Sequence, residues 1–164
     1  MPNWLPSPVQ YADFGGDWER FIEEVYNRFV RDFLNDFNRR QLRFEGIPLS
    51  LRRHPLVRGK EASFWHLVST GNIEEERLPD FDRCECISWA RAIIDNANDR
   101  FVKRWENTRD GNTNICLWLE SENYIVVLGK RNGYVILLTA YFAQEYKRKK
   151  FQREYDEYIK SLKS

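Results

Sequence analysis

The stretch 124-YIVVLGKRNGYVILLTAY-141 decides the fold class. Two runs rich in β-branched and aromatic residues flank Asn132-Gly133, a dipeptide suited to a type I′ turn because both central residues there need φ > 0. A two-residue loop fixes the register: Arg131 faces Tyr134, Val126 faces Thr139, and Tyr124 faces Tyr141. Alternation then sorts the side chains onto two faces. One carries Ile125, Val127, Ile136, Leu138 and Ala140, suited to packing under a helix. The other carries Val126, Leu128, Val135 and Leu137 and ends in the hydroxyls of Tyr124, Thr139 and Tyr141. Ile115 to Ser121 alternates too and adds a neighbouring strand through Glu122-Asn123.

Working outward, both ends of the chain show helical spacing. Residues 1–16 contain three prolines, end in Gly15-Gly16, and read as an extended arm. Asp17 suits an N-cap. Behind it Trp18, Phe21, Ile22, Val25, Phe29 and Phe33 recur at intervals of three and four, which predicts a helix over about 18–38 within the segment 17–40. A C-terminal helix over 143–162 carries Phe151, Tyr155, Tyr158, Ile159 and Leu162 as its apolar stripe. Between them, 55–142 forms a sheet-containing core. Ser63–Thr70 reads as a strand, Cys84–Asn96 fits either helix or strand, and Trp105–Asn114 reads as a polar link turning at Asp110-Gly111. The expectation is one α+β domain over 1–164, with N- and C-terminal helices packed on an antiparallel sheet of about four strands.

The 164 residues are 42% hydrophobic and 15% aromatic, enough to build a core rather than a disordered chain. Lys plus Arg number 26 against 25 for Asp plus Glu, so net charge nominates no polyanionic partner. Charge is instead sorted in blocks. Arg39–Lys60 holds seven basic residues and one acid, Ile73–Glu85 holds six acids beside Arg77 and Arg83, and Lys147–Lys150 is a basic run. Three cysteines and no basic-then-apolar leader point to reduced thiols and a cytoplasmic protein. Cys84-x-Cys86 lacks the second ligand pair that a zinc site requires. No apolar run is long enough to span a bilayer.

Several residues have chemistry to offer, each with a plainer reading beside it. His66 titrates near neutral pH and suits general acid–base work, or is a strand histidine holding one hydrogen bond. Thr139 and Tyr141 can donate to phosphate oxygens, or simply pack across strands. Arg77 and Arg83 can clamp a phosphate bidentately, or pair with the acids around them. Arg131, Lys147, Lys149 and Lys150 can track a nucleic-acid backbone, with Trp105 among the aromatics available for base stacking. A solvated basic helix face and core tryptophans explain the same residues more blandly.

The combination Lys60-Glu61, Phe64-Trp65-His66, Arg77-Leu78-Pro79-Asp80, Arg83-Cys84-Glu85 and Ile87-Ser88-Trp89 resembles a family of phage and bacterial proteins. So do Trp105-Glu106-Asn107-x-Arg109, Arg131-x-Gly133-Tyr134 and Thr139-Ala140-Tyr141. The similarity covers roughly residues 55–158. That family in turn resembles the barnase–EndoU–colicin–RelE superfamily of small ribonuclease toxins. The resemblance implies N-terminal helices on a four-stranded antiparallel sheet and a metal-independent endoribonuclease with no cofactor. His66 would be the base or acid, Thr139 and Tyr141 would hold phosphate or assist proton transfer, and Arg77 or Arg83 would stabilise the phosphorane. Cys86 departs from the pattern, standing where a basic residue is expected. RNA and an inhibitory protein are the implied partners; a non-catalytic module binding RNA or protein is the alternative.

Overall fold

The computed structural model describes residues 1–35, 40 and 42–164. Helix α1 spans Trp18–Phe29 and begins where Asp17 accepts a hydrogen bond from the Arg20 backbone N–H at 3.1 Å. Phe21, Ile22, Val25 and Phe29 make its buried stripe. A wider π turn, Val30–Leu34, carries Phe33 into the core. The end of the expected helix, residues 36–39, lies outside the described residues. The N-terminal arm is tied down: the Val9 N–H donates to the Glu85 carbonyl, and the Trp89 indole donates to the Pro6 carbonyl, both at 2.8 Å.

The sheet has six strands and is mixed, where about four antiparallel strands are expected from the sequence. Its strands are β1 (Arg43–Phe44), β2 (Ile47–Ser50), β5 (Val102–Arg109), β6 (Asn112–Leu119), β7 (Tyr124–Lys130) and β8 (Val135–Phe142). They lie in the order β1-β2-β8-β7-β6-β5, antiparallel except where β2 runs parallel to β8 through Leu49↔Val135. A separate two-stranded piece pairs β3 (Ser69–Thr70) with β4 (Leu78–Pro79).

Three segments depart from the reading of the sequence. Ser63–Thr70 is no strand: Ala62–Val68 forms helix α2, and only its last two residues enter β3. Ala62, Ser63, Phe64, Trp65, Leu67 and Val68 are all buried, so the helix has no polar face to give it a visible period. Trp105–Asn114 is no link. It is the tip of the β5–β6 hairpin, closed by Asp110 and Gly111 at φ 52° and 78°. Both centres of this turn are left-handed, whereas at Asn132-Gly133 only Gly133 is, with φ 84°. The hairpin predicted at Asn132-Gly133 forms, but its turn is not type I′. The ambiguous Cys84–Asn96 segment is helical, as α3 (Phe81–Glu85) and α4 (Trp89–Asp95).

The third departure moves functional side chains. Pairing of β7 with β8 keeps the predicted register near the turn, at Lys130↔Val135 and Leu128↔Leu137. A β-bulge between Val127 and Leu128 then shifts it by one, so Val126 faces Ala140 and Tyr124 faces Phe142. The extra residue resets which face the following side chains occupy. Tyr124, Val126, Leu128, Leu137 and Ala140 enter the main core with residues of α1, α2 and α4. Ile125, Val127 and Tyr141 belong to a second apolar cluster on the other face, with Trp105, Cys116, Trp118 and Phe151. Tyr124 therefore does not share a face with Tyr141, as unbroken alternation predicts. Phe151 belongs to α5 (Lys147–Leu162), the helix that covers this second face. Among the described residues, no helix is long and apolar enough to cross a membrane.

Candidate nucleic-acid interface

Helix α5 packs against β5, inserting Phe151 between the indoles of Trp105 and Trp118 at ring distances of 5.6 and 5.4 Å. The sheet beside its N-terminal half stays uncovered and forms a cleft of about 280 Å³. Asn107 and Arg109 of β5 and Asn114 of β6 line one end. Leu138, Thr139 and Tyr141 of β8 line the other, and Lys147 and Lys150 of α5 form the upper wall. The bulge brings both Leu138 and Thr139 to this face despite their being neighbours in sequence.

Beneath the cleft a carboxylate fixes the amide at its floor. Glu154 Oε1 accepts from Trp105 Nε1 and from Asn107 Nδ2, each at 3.1 Å, while Lys150 Nζ stands 4.0 Å from Glu154 Oε2. Asn107 Oδ1 is buried without a hydrogen-bond partner. Cys116, also on the floor, is a buried thiol pushed up to about 12, chiefly by burial. It is no nucleophile near neutral pH.

Tyr141 is the centre of the polar end. The Arg83 guanidinium and the Lys147 ammonium each lie 5.5 Å from its ring centroid, in cation–π contact. Burial pushes its phenol pKa up, against the smaller lowering effects of Arg109 and Arg83, so it stays protonated and able to donate at neutral pH. Arg109 and Lys147 have no carboxylate within ion-pair distance among the described residues. Two unpaired cations, a neutral phenol and the Asn114 amide thus face one open space, the Asn107 N–H groups being given to Glu154 and Cys116 Sγ. That is a set of donors suited to an anion with several oxygens.

No family model, no curated protein and no solved structure matches this chain. The site's meaning therefore rests on its own geometry.

Of the residues picked out from the sequence, Thr139, Tyr141, Lys147 and Lys150 meet in the cleft. Arg83 reaches its edge through the Tyr141 ring, holding the carbonyls of Ser69 at 2.8 Å and His66 at 3.4 Å. Thr139 spends its hydroxyl proton on the His66 carbonyl at 3.0 Å, so it offers a ligand only lone pairs. The His66 imidazole does not line the cleft: its Nε2 is 2.8 Å from Glu74 Oε1. Burial lowers its pKa, and the Glu74 bond opposes that shift. Arg77 is a structural clamp, bonding Ser69 Oγ at 3.0 Å and the Gly71 carbonyl at 2.7 Å. Trp105 is fully buried, with its N–H given to Glu154, so it supports the floor instead of presenting a stacking face. Arg131 folds back over Gly129 onto the Lys130 carbonyl, and Lys149 is exposed; neither lines the cleft.

Asn107, Arg109, Asn114 and Glu154 are functional candidates that the reading of the sequence does not include. The signal was present: with Asp110-Gly111 taken as a hairpin turn, residues 105, 107 and 109 alternate onto the same face as 114, 116 and 118.

Proposed function

We propose that the cleft binds single-stranded RNA and that the protein is a metal-independent endoribonuclease of toxin type. The observation that supports this is the convergence of unpaired Arg109 and Lys147 with the protonated Tyr141 phenol on one open cleft. In this reading Arg109, Lys147 and Lys150 hold the scissile phosphodiester and neutralise charge as the phosphorane forms. Tyr141 donates to a phosphate oxygen. The ribose 2′-OH, once deprotonated, attacks the adjacent phosphorus, and the 5′-oxygen departs with a proton. The proton transfers are assigned to His66, whose ring is bonded to Glu74 outside the cleft lining and has to turn into the cleft to perform them.

The second reading, a non-catalytic RNA-binding module, is favoured by one fact: the His66 ring lies outside the cleft lining. Incubating the protein with a mixed RNA pool in chelator separates the two. The ribonuclease reading expects cyclic-phosphate ends from wild type, a rate loss on the order of a hundredfold in Tyr141→Phe, and little cleavage by His66→Ala. DNA, lacking the nucleophile, stays intact. RNA bound equally by wild type and His66→Ala, with no cleavage by either, supports the binding module instead.

A further inference from the structure

The basic block Arg39–Lys60 takes no part in the cleft, yet its arginines are gathered in one place. Arg40, Arg43 and Arg53 line a second groove, about 290 Å³, with Pro48, Leu49 and Leu51 forming its apolar side. Some arginines elsewhere are neutralised: Arg28 pairs with Glu24, Arg91 with Asp95, Arg104 with Glu45, and Arg148 with Glu145. The groove arginines are not. Among the described residues none of the three has a carboxylate within ion-pair distance, and the sole side-chain bond is from Arg43 to the Gly46 carbonyl at 3.3 Å. Arg52 adds a further unpaired cation next to Arg53 in the chain.

Position links this groove to the cleft. Strand β2, which forms one of its walls, is the sheet neighbour of β8 and pairs Ser50 with Ile136. Thr139 lies three residues further along β8, or ~10 Å at the rise of an extended strand. Phe33, Leu42 and Leu49 of the groove belong to the main-core face and Tyr141 to the α5 face, so a polyanion seated over Thr139 and Tyr141 reaches the groove by passing around the β1–β2 edge of the sheet. Unpaired guanidinium forks are the side chains best matched to successive phosphates, and the apolar wall is compatible with the sugar edges between them.

We infer that the Arg40–Arg43–Arg53 groove is a second backbone-binding subsite for single-stranded nucleic acid, gripping the strand outside the scissile phosphate. It rests on the RNA reading of the cleft. It also makes a distinct claim: long strands are held at both places, whereas a dinucleotide is held at the cleft alone.

The probes are 2′-deoxy strands, which bind without being cut, so the result is independent of catalysis. A long 2′-deoxy oligonucleotide and a 2′-deoxy dinucleotide are titrated against wild type and Arg40→Gln/Arg43→Gln/Arg53→Gln over a range of salt. Each phosphate contact on a single strand contributes roughly 0.7 to the slope of log affinity against log salt, so loss of three lowers it by about 2. That drop is expected for the long strand only, with dinucleotide affinity unchanged and both proteins melting alike. Equal slopes for the long strand overturn the subsite. So does a wild type that binds the long strand no more tightly than the dinucleotide. If the variant keeps the oligonucleotide slope but loses binding to anionic lipid vesicles, the groove belongs to a membrane surface and the inference is overturned. A wild type that shows the expected slopes yet never cuts RNA removes the ribonuclease reading and leaves the groove standing.

Discussion

Replacing Phe151 by Ala should release helix α5 from the sheet while leaving the rest of the fold in place. Phe151 is the one α5 side chain that is buried, and it belongs to an apolar cluster separate from the main core. Truncating a buried Phe to Ala costs about 3–5 kcal/mol. The tethers that remain are mostly polar: Trp105 and Asn107 to Glu154 at 3.1 Å, Lys103 to Gln152 at 2.5 Å, Arg148 to the Glu120 carbonyl at 2.9 Å, and the Tyr158 hydroxyl with Arg104 and Glu106 at 3.3 and 3.4 Å, beside the partly buried rings of Tyr155 and Tyr158. Each such bond contributes only about 1 kcal/mol net, somewhat more where charge assists. A helix of 16 residues has little stability of its own in water. Since 1.4 kcal/mol is tenfold, amide protection in α5 should fall roughly a hundredfold or more. Amides of β6 and β7 should exchange as in wild type. Hydrogen exchange followed by mass spectrometry reads both regions in one experiment. RNA affinity should fall with α5 protection, because Lys147 and Lys150 ride on the helix. Unchanged exchange over α5, or an equal loss across the whole chain, would refute the reasoning.

Three further outcomes follow from buried polar groups and backbone geometry. Burial lowers the His66 pKa below 6.5, so the unfolded chain binds its proton more readily. Its contribution is complete above pH 6.5 and is lost as pH falls toward the depressed native value; denaturant melts of wild type should show this loss, and His66→Asn should flatten it. Asp32 is buried with Oδ2 unpartnered, and burial raises its pKa above 3.8 despite the nearby Arg31. Its burden on the fold therefore grows as pH rises through that raised value, and Asp32→Asn should melt higher than wild type at neutral pH. Gly111 sits at φ 78° with open space where a Cβ would stand, so Gly111→Ala should cost about 1 kcal/mol from backbone strain alone, read as a lower melting temperature.

How far the sequence shows all this depends on where each element's environment is one-sided. Helix α1 is legible because Phe21, Ile22, Val25 and Phe29 are buried while Glu19 and Glu23 face water. Helix α2 is not, because burial on almost every side erases the period, leaving His66 as its single half-exposed residue. The β7–β8 hairpin is legible to the middle of its length. Beyond that the bulge at Val127–Leu128 depends on packing that no alternation pattern encodes, and it decides that Thr139 and Tyr141 face α5. The β5–β6 side of the cleft is not legible while Asp110-Gly111 reads as a link, although Asp-Gly is itself a hairpin signal. His66 stands out in the sequence as an isolated imidazole, yet the sequence carries no sign that Glu74, eight residues on, holds its ring.

The most direct measurement maps amide chemical-shift changes while a 2′-deoxy dinucleotide is titrated into isotopically labelled protein. Shifts should concentrate at Asn107, Arg109, Asn114, Tyr141 and Lys147, and weaken in Lys147→Ala. Shifts confined to other surfaces, with these five residues silent, would contradict the placement of the phosphate in this cleft.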